Sequence, residues 1–227
     1  MLIFLSILIL TSWIFYVRLK LNQPSLKALI LKISTTLLII CFSLFCILNQ
    51  TDNLNVGVLI VIGLIFGLIG DMVLDLKLIY PKDDEFYTFL GFGSFILGHL
   101  LYIGYFLLNF HLQVLDYSFI FGLAGMTVFI VLVTEVPMKL NFGKFRLISA
   151  VYAFILSFIT FLMLWTSYRF ENIGMLIFGI GLIFFLISDL ILSQSYFGKE
   201  EKSWMIITNY LFYYGAQYLI ALSILWI

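Results

Sequence analysis

Eight apolar runs separated by polar breaks constrain what this chain can fold into. They cover about 1–17, 28–48, 55–76, 87–109, 116–134, 146–168, 172–194 and 204–226. The hydrocarbon core of a bilayer is crossed by about 20 residues of helix. The runs are continuous rather than alternating, and lipid leaves no water to satisfy a backbone, so they read as helices and not strands. Composition agrees: 63% of residues are hydrophobic and 11% charged, against roughly a quarter charged in soluble domains. The expectation is an all-α membrane protein, one eight-helix transmembrane domain over 1–227, with possible halves 1–110 and 111–227.

Charge excludes some functions and sets an orientation. Net charge is zero and no basic patch or arm is present, so nucleic-acid binding is not expected. The connections are too short to hold a soluble domain. Cys41 and Cys46 lie five apart in one run, on different faces of a helix, and read as apolar fillers. Residues 1–17 lack a basic leader and a small-residue cleavage site, unlike a signal peptide. Arg18 and Lys20 follow the run and retain it as a first span. Arg18, Lys20, Lys27, Lys32, Lys77, Lys82, Lys139, Lys144, Arg146, Lys199 and Lys202 fall in or near odd-numbered connections. Only Arg169 falls on the other face. The basic face is expected to be cytoplasmic, with both termini outside.

The chain also carries an internal similarity. "GLIFGLIGDMVLD" (63–75) and "GLIFFLISDLILS" (181–193) share eight of thirteen positions at an offset of 118. The register continues without a gap, so His99 in "GHLLY" falls on Gln217 in "AQYLI". Spans 3–4 and 7–8 read as related units in the same orientation, a possible parallel 4+4 repeat. Asp71 and Asp189 then lie at one depth, about 24 Å from the outer end at 1.5 Å per residue. A pseudo-twofold axis would let the two carboxylates face each other.

An ionisable group inside lipid costs about 2.5–3.5 kcal/mol on insertion scales and so faces a cavity or a partner. Asp71 and Asp189 are the clearest candidates for function. Asp75 lies one turn beyond Asp71 on the same face, nearer the interface, where solvation is an equal reading. His99 and its counterpart Gln217 are candidates to position water or a carboxylate. Tyr102, Tyr152, Tyr210, Tyr213 and Tyr214 could line a polar pocket, although tyrosines also anchor helices at interfaces. Tyr102, Tyr152 and Tyr214, with Ser188 and Asn209, complete the candidate positioning residues. Gly63, Gly67 and Gly70 suit close helix packing. No GxSxG elbow, HExxH or P-loop occurs. His111, the only other histidine, falls in an outer connection, so neither a metal site nor a cofactor is expected.

At these residues the chain resembles the YhhN or lysoplasmalogenase-like membrane proteins. The resemblance rests on "GDMVLD" (70–75), "FGSFILGHLLY" (92–102), "VYAFILSFITFLM" (151–163), "GIGLIFFLISDLIL" (179–192) and "YYGAQYLI" (213–220). The family's Lys-Pro after the first span is Gln23-Pro24 here. The resemblance implies an eight-helix hydrolase that cleaves the vinyl-ether bond of lysoplasmalogens to a fatty aldehyde and a glycerophospho-headgroup. Its GD and SD aspartates fall on Asp71 and Asp189, the implied catalytic pair. The implied partner is a lysophospholipid-type lipid drawn from the bilayer, and the implied location an integral membrane, the inner one if the source is bacterial. The chemistry suits two carboxyls: one protonated to act as acid, one ionised to stabilise an oxocarbenium ion and activate water, much as in glycosidases. The residues do not say which aspartate is the acid. A proton- or cation-coupled transporter would use a similar pair, and a non-catalytic lipid-binding protein is a third reading.

Overall fold

The computed structural model describes residues 1–22, 25–49, 54–198 and 202–227. Gln23-Pro24 and Lys199 lie outside the described residues. The rest form eight α-helices: α1 (Leu2–Asn22), α2 (Leu26–Asn49), α3 (Leu54–Ile79), α4 (Asp84–Asn109), α5 (Val114–Thr134), α6 (Arg146–Phe170), α7 (Ile173–Phe197) and α8 (Ser203–Ser223). Every expected run coincides with one helix, with ends shifted by a few residues. Among the described residues, seven helices are long and apolar enough to cross a membrane; α8 is not one of these. Its apolar character is diluted by Asn209, Tyr210, Tyr213, Tyr214 and Gln217, all buried against the bundle rather than offered to lipid.

Local chemistry sets several ends. Gln113 and Asp116 form a capping box at the start of α5, which satisfies donors that a helix start otherwise leaves open. Asn172 caps α7 by accepting from the Met175 amide at 2.9 Å. α6 stops at Glu171, whose φ of 51° is left-handed. Asp116 also accepts from Arg169 at 2.8 Å and from the Trp165 ring nitrogen at 3.0 Å, tying α5 to the end of α6. Arg169 is thereby used in structure.

Five helices close a ring, because α3 packs on α4, α4 on α6, α6 on α7, α7 on α8, and α8 on α3. α2 lies against α3 and α8, α1 against α2 and α8, and α5 against α6. The pairs α3–α4 and α7–α8 are the most intimate, and small residues make them so. A Cβ at Gly98 would stand 3.0 Å from the Gly63 carbonyl oxygen; one at Gly181 would stand 3.1 Å from that of Ala216. These two contacts are related by the same offset of 118. A Cβ at Gly63 would collide with the buried Tyr102 ring. The ring interior thus holds α3, α4, α6, α7 and α8 close enough for their polar side chains to meet.

Candidate active site

Asp71, in α3, is 3% exposed and carries two partners. Lys32 of α2 reaches its Oδ1 at 3.0 Å, and the Tyr213 hydroxyl of α8 donates to Oδ2 at 2.6 Å. Lys32 also lies 3.4 Å from Asp75 Oδ1, and Lys20 of α1 lies 3.5 Å from that same oxygen. Two lysines and two aspartates therefore balance in one cluster, as burial of charge requires. Asp75 is not a solvated helix end: it is 5% exposed and bound on the side that faces α1 and α2. Lys32 is not a charge of the connection: it is 4% exposed and points into the protein.

Asp189, in α7, has a different environment. The Tyr152 hydroxyl of α6 donates to its Oδ2, and among the described residues no lysine or arginine reaches it. One residue earlier, Asn209 of α8 donates to the Ser188 carbonyl at 2.7 Å and meets its hydroxyl at 3.0 Å. Ser188 and Asn209 therefore fix the α7 backbone at Asp189 and do not touch the carboxyl. Asp189 stands partly open, whereas Asp71 is sealed.

Aromatic rings join the two carboxyls. Tyr213 packs edge-on to Phe185 with centroids 5.3 Å apart, Phe185 to Phe95 at 5.9 Å, and Phe95 to Tyr152 at 6.5 Å. His99 packs against Phe185 at 5.2 Å, Tyr152 at 5.8 Å and Tyr102 at 5.9 Å. It makes no hydrogen bond to either aspartate; both ring nitrogens are buried without a partner among the described residues, as is Gln217 Oε1. These atoms border a cavity of about 10 Å³, lined also by Gly63, Gly67 and Phe95. That volume is about the least that seats one water. Gln217 reaches Asp71 indirectly, its amide donating to the Tyr213 hydroxyl. Tyr102 packs over Gly63 and edge-on to Phe178 at 5.2 Å, a packing role. Tyr214 donates to the Lys32 carbonyl at 3.5 Å, behind the ion pair.

A second cavity of about 390 Å³ opens beside Asp189. Asp189 is its one carboxyl among the described residues, its other polar groups being hydroxyls such as those of Tyr152, Ser149, Ser157 and Tyr196; Phe92, Ile130, Leu156, Leu186 and Leu190 are among its apolar walls. Asp71 is not among the lining residues, so this cavity serves one aspartate and not both. Phe95 borders both cavities. Among the described residues no group of three or more His, Cys, Asp or Glu is placed to hold a metal ion.

One site residue, Lys32, escapes the sequence reading, and a second, Tyr213, is named there only as one of several tyrosines that could line a pocket. Lys32 counts there toward membrane orientation, yet it sits inside the second apolar run, where an ionisable group needs a partner. Tyr213 follows from its position one turn before Gln217, but its anchoring reading is equally available until α8 is placed.

Long apolar helices around a buried acidic centre, with an apolar cavity at its edge, define a multi-pass integral membrane protein. The chain belongs to the YhhN family, whose model matches residues 27–224. The match takes in α2, and with it Lys32, beyond the region that carries the quoted motifs. No curated protein and no solved structure matches the chain.

Proposed function

We propose that this protein is an intramembrane hydrolase of vinyl-ether lipids of the lysoplasmalogen type, with Asp189 as the acid and Asp71 as the resident carboxylate. The observation that carries the reading is the unequal pairing of the two aspartates. Asp71 has a lysine at 3.0 Å, which holds it as an anion. Asp189 has a neutral hydroxyl donor and borders the 390 Å³ cavity, where a carboxylic acid meets substrate.

In the reaction, Asp189 gives its proton to the vinyl carbon remote from the ether oxygen. The double-bond electrons form the new C–H bond and leave an oxocarbenium ion. Asp71 and the now ionised Asp189 provide negative potential toward that cation, which is most effective in a site closed to bulk water. Water adds at the carbon bonded to oxygen and yields a proton to Asp189. The hemiacetal then breaks its bond to the glycerol oxygen, which leaves as an alcohol, and the chain departs as an aldehyde. One water is consumed. His99 and Gln217, with unpartnered buried atoms on one small cavity, suit the positioning of that water. Asp75 with Lys20 completes the charge balance behind Asp71.

All eight helices, α8 included, cross the bilayer in this reading, with the basic connections cytoplasmic and both termini outside. The 4+4 repeat belongs to the same proposal. It is supported by the neighbour pattern, in which α2 sits by α3 and α8 as α6 sits by α7 and α4. A carrier built on the same carboxylates calls for interrupted helices, and α4 runs unbroken from Asp84 to Asn109 through Gly91, Gly93 and Gly98. The test is aldehyde release from lysoplasmalogen by detergent-purified protein, with no ion gradient. The wild type should release aldehyde, and Asp71→Asn and Asp189→Asn should not, while eluting as folded protein. Uptake into liposomes without hydrolysis would select the carrier.

A further inference from the structure

The 390 Å³ cavity has a shape and a chemistry that the reaction alone does not require. It lies between α5 and α7, above α6, and α5 packs chiefly on α6. Its walls run from Leu186 to Phe197 along α7, about 16 Å at 1.5 Å per residue. The connection after α5 closes one end: the Asn141 amide donates to the Phe197 carbonyl at 2.9 Å, and the Phe142 and Phe197 rings pack at 4.9 Å. The side is open instead. Ile130 of α5 is 50% exposed and Leu190 of α7 is 47% exposed, and both line the cavity. Exposed apolar residues on membrane-crossing helices face hydrocarbon, so the opening is toward lipid.

We infer that this cavity is a binding site for one hydrocarbon chain of a membrane amphiphile, entered sideways from the bilayer between α5 and α7, with the chain's polar end at Asp189 and Tyr152. A volume of about 390 Å³ lies within the range of about 300–1,000 Å³ of cavities that bury one small ligand. That scale suits a single hydrocarbon chain. Among the described residues, the only carboxyl in the lining is Asp189, the other polar groups there being hydroxyls. The identity of the lipid rests on the hydrolase reading; chain binding does not.

The probe is a saturated 1-O-alkyl lysophosphatidylcholine with a diazirine near the chain terminus, which has no vinyl bond to protonate. Photolysis of the full-length protein in detergent should label residues of the α5–α7 lining. Excess unlabelled lipid should compete, and Ala153→Trp or Thr127→Trp, each filling the cavity from a different helix, should cut the labelling at least tenfold. Two plugs are used so that one misfolded variant leaves the test intact. Labelling confined to outward residues such as Ile3 and Ile7, or unchanged in a folded plugged variant, overturns the chain site. Labelled, competed lining in a protein that releases no aldehyde upholds the chain site and removes the hydrolase. Aldehyde release with unchanged KM in a folded plugged variant does the reverse.

Discussion

At the scale of single residues, the site is decided by which carboxyl has a cation. Lys32 lies between Asp71 and Asp75, and removing one member of a buried pair costs about 3–5 kcal/mol because a charge is left alone. Lys32→Met should therefore lower thermal stability in detergent strongly. Lys32→Met with Asp71→Asn should recover part of that loss, since both halves of the pair are then neutral; a double variant as unstable as the sum of its singles would refute the pairing. Tyr152→Phe removes the hydroxyl on Asp189 and little else. It should retain stability and lose turnover, by less than the roughly 10²–10⁴-fold that a general acid itself contributes. Steady-state rates on lysoplasmalogen with purified variants check this. Asp71 and Asp189 are legible in the sequence because a carboxyl in a greasy run is costly and therefore conspicuous. Of their partners, Tyr152 is legible as a candidate and Lys32 is not. Lys32 satisfies the rule for orientation and the rule for pairing at once, and only the packing of α2 on α3 tells them apart.

At the scale of helices, closeness is set by glycine. Gly63 lies under the Tyr102 ring and opposite Gly98, so α3 and α4 touch backbone to backbone. Gly63→Ala forces a buried ring to move, and overpacking of this kind costs about 1–3 kcal/mol. Gly93, on the same α4, has open space where a methyl group would stand, with nothing within 4 Å of it. Gly93→Ala should be neutral or stabilising, because alanine is favoured over glycine in a helix by about 1 kcal/mol. Thermal unfolding of the two variants side by side tests the assignment; equal effects would contradict it. Helix positions follow from the apolar runs because length and continuity are local properties of a chain. The exception in kind is α8, expected as a span like the other seven, whose polar residues turn out to be a wall of the site. The cavity was beyond reach for a related reason. It exists because α5 stands off from α7, a property of neither helix alone.

At the scale of the whole molecule, the two membrane aspartates are held unequally. An element preceding each aspartate helix supplies its partner, Lys32 from α2 for Asp71 and Tyr152 from α6 for Asp189. Asp71 thereby has a charged partner and Asp189 a neutral one, and Asp189 alone opens on the larger cavity. In the proposed reaction, the division of labour between carboxylate and acid follows from that difference. The most direct test is the deuterium content of the aldehyde formed in D₂O, trapped as it is released. Protonation of carbon by an exchangeable carboxyl predicts a single deuterium on the carbon next to the carbonyl, and no aldehyde at all from Asp189→Asn. Aldehyde without deuterium at that carbon, or full turnover by Asp189→Asn, would contradict the account.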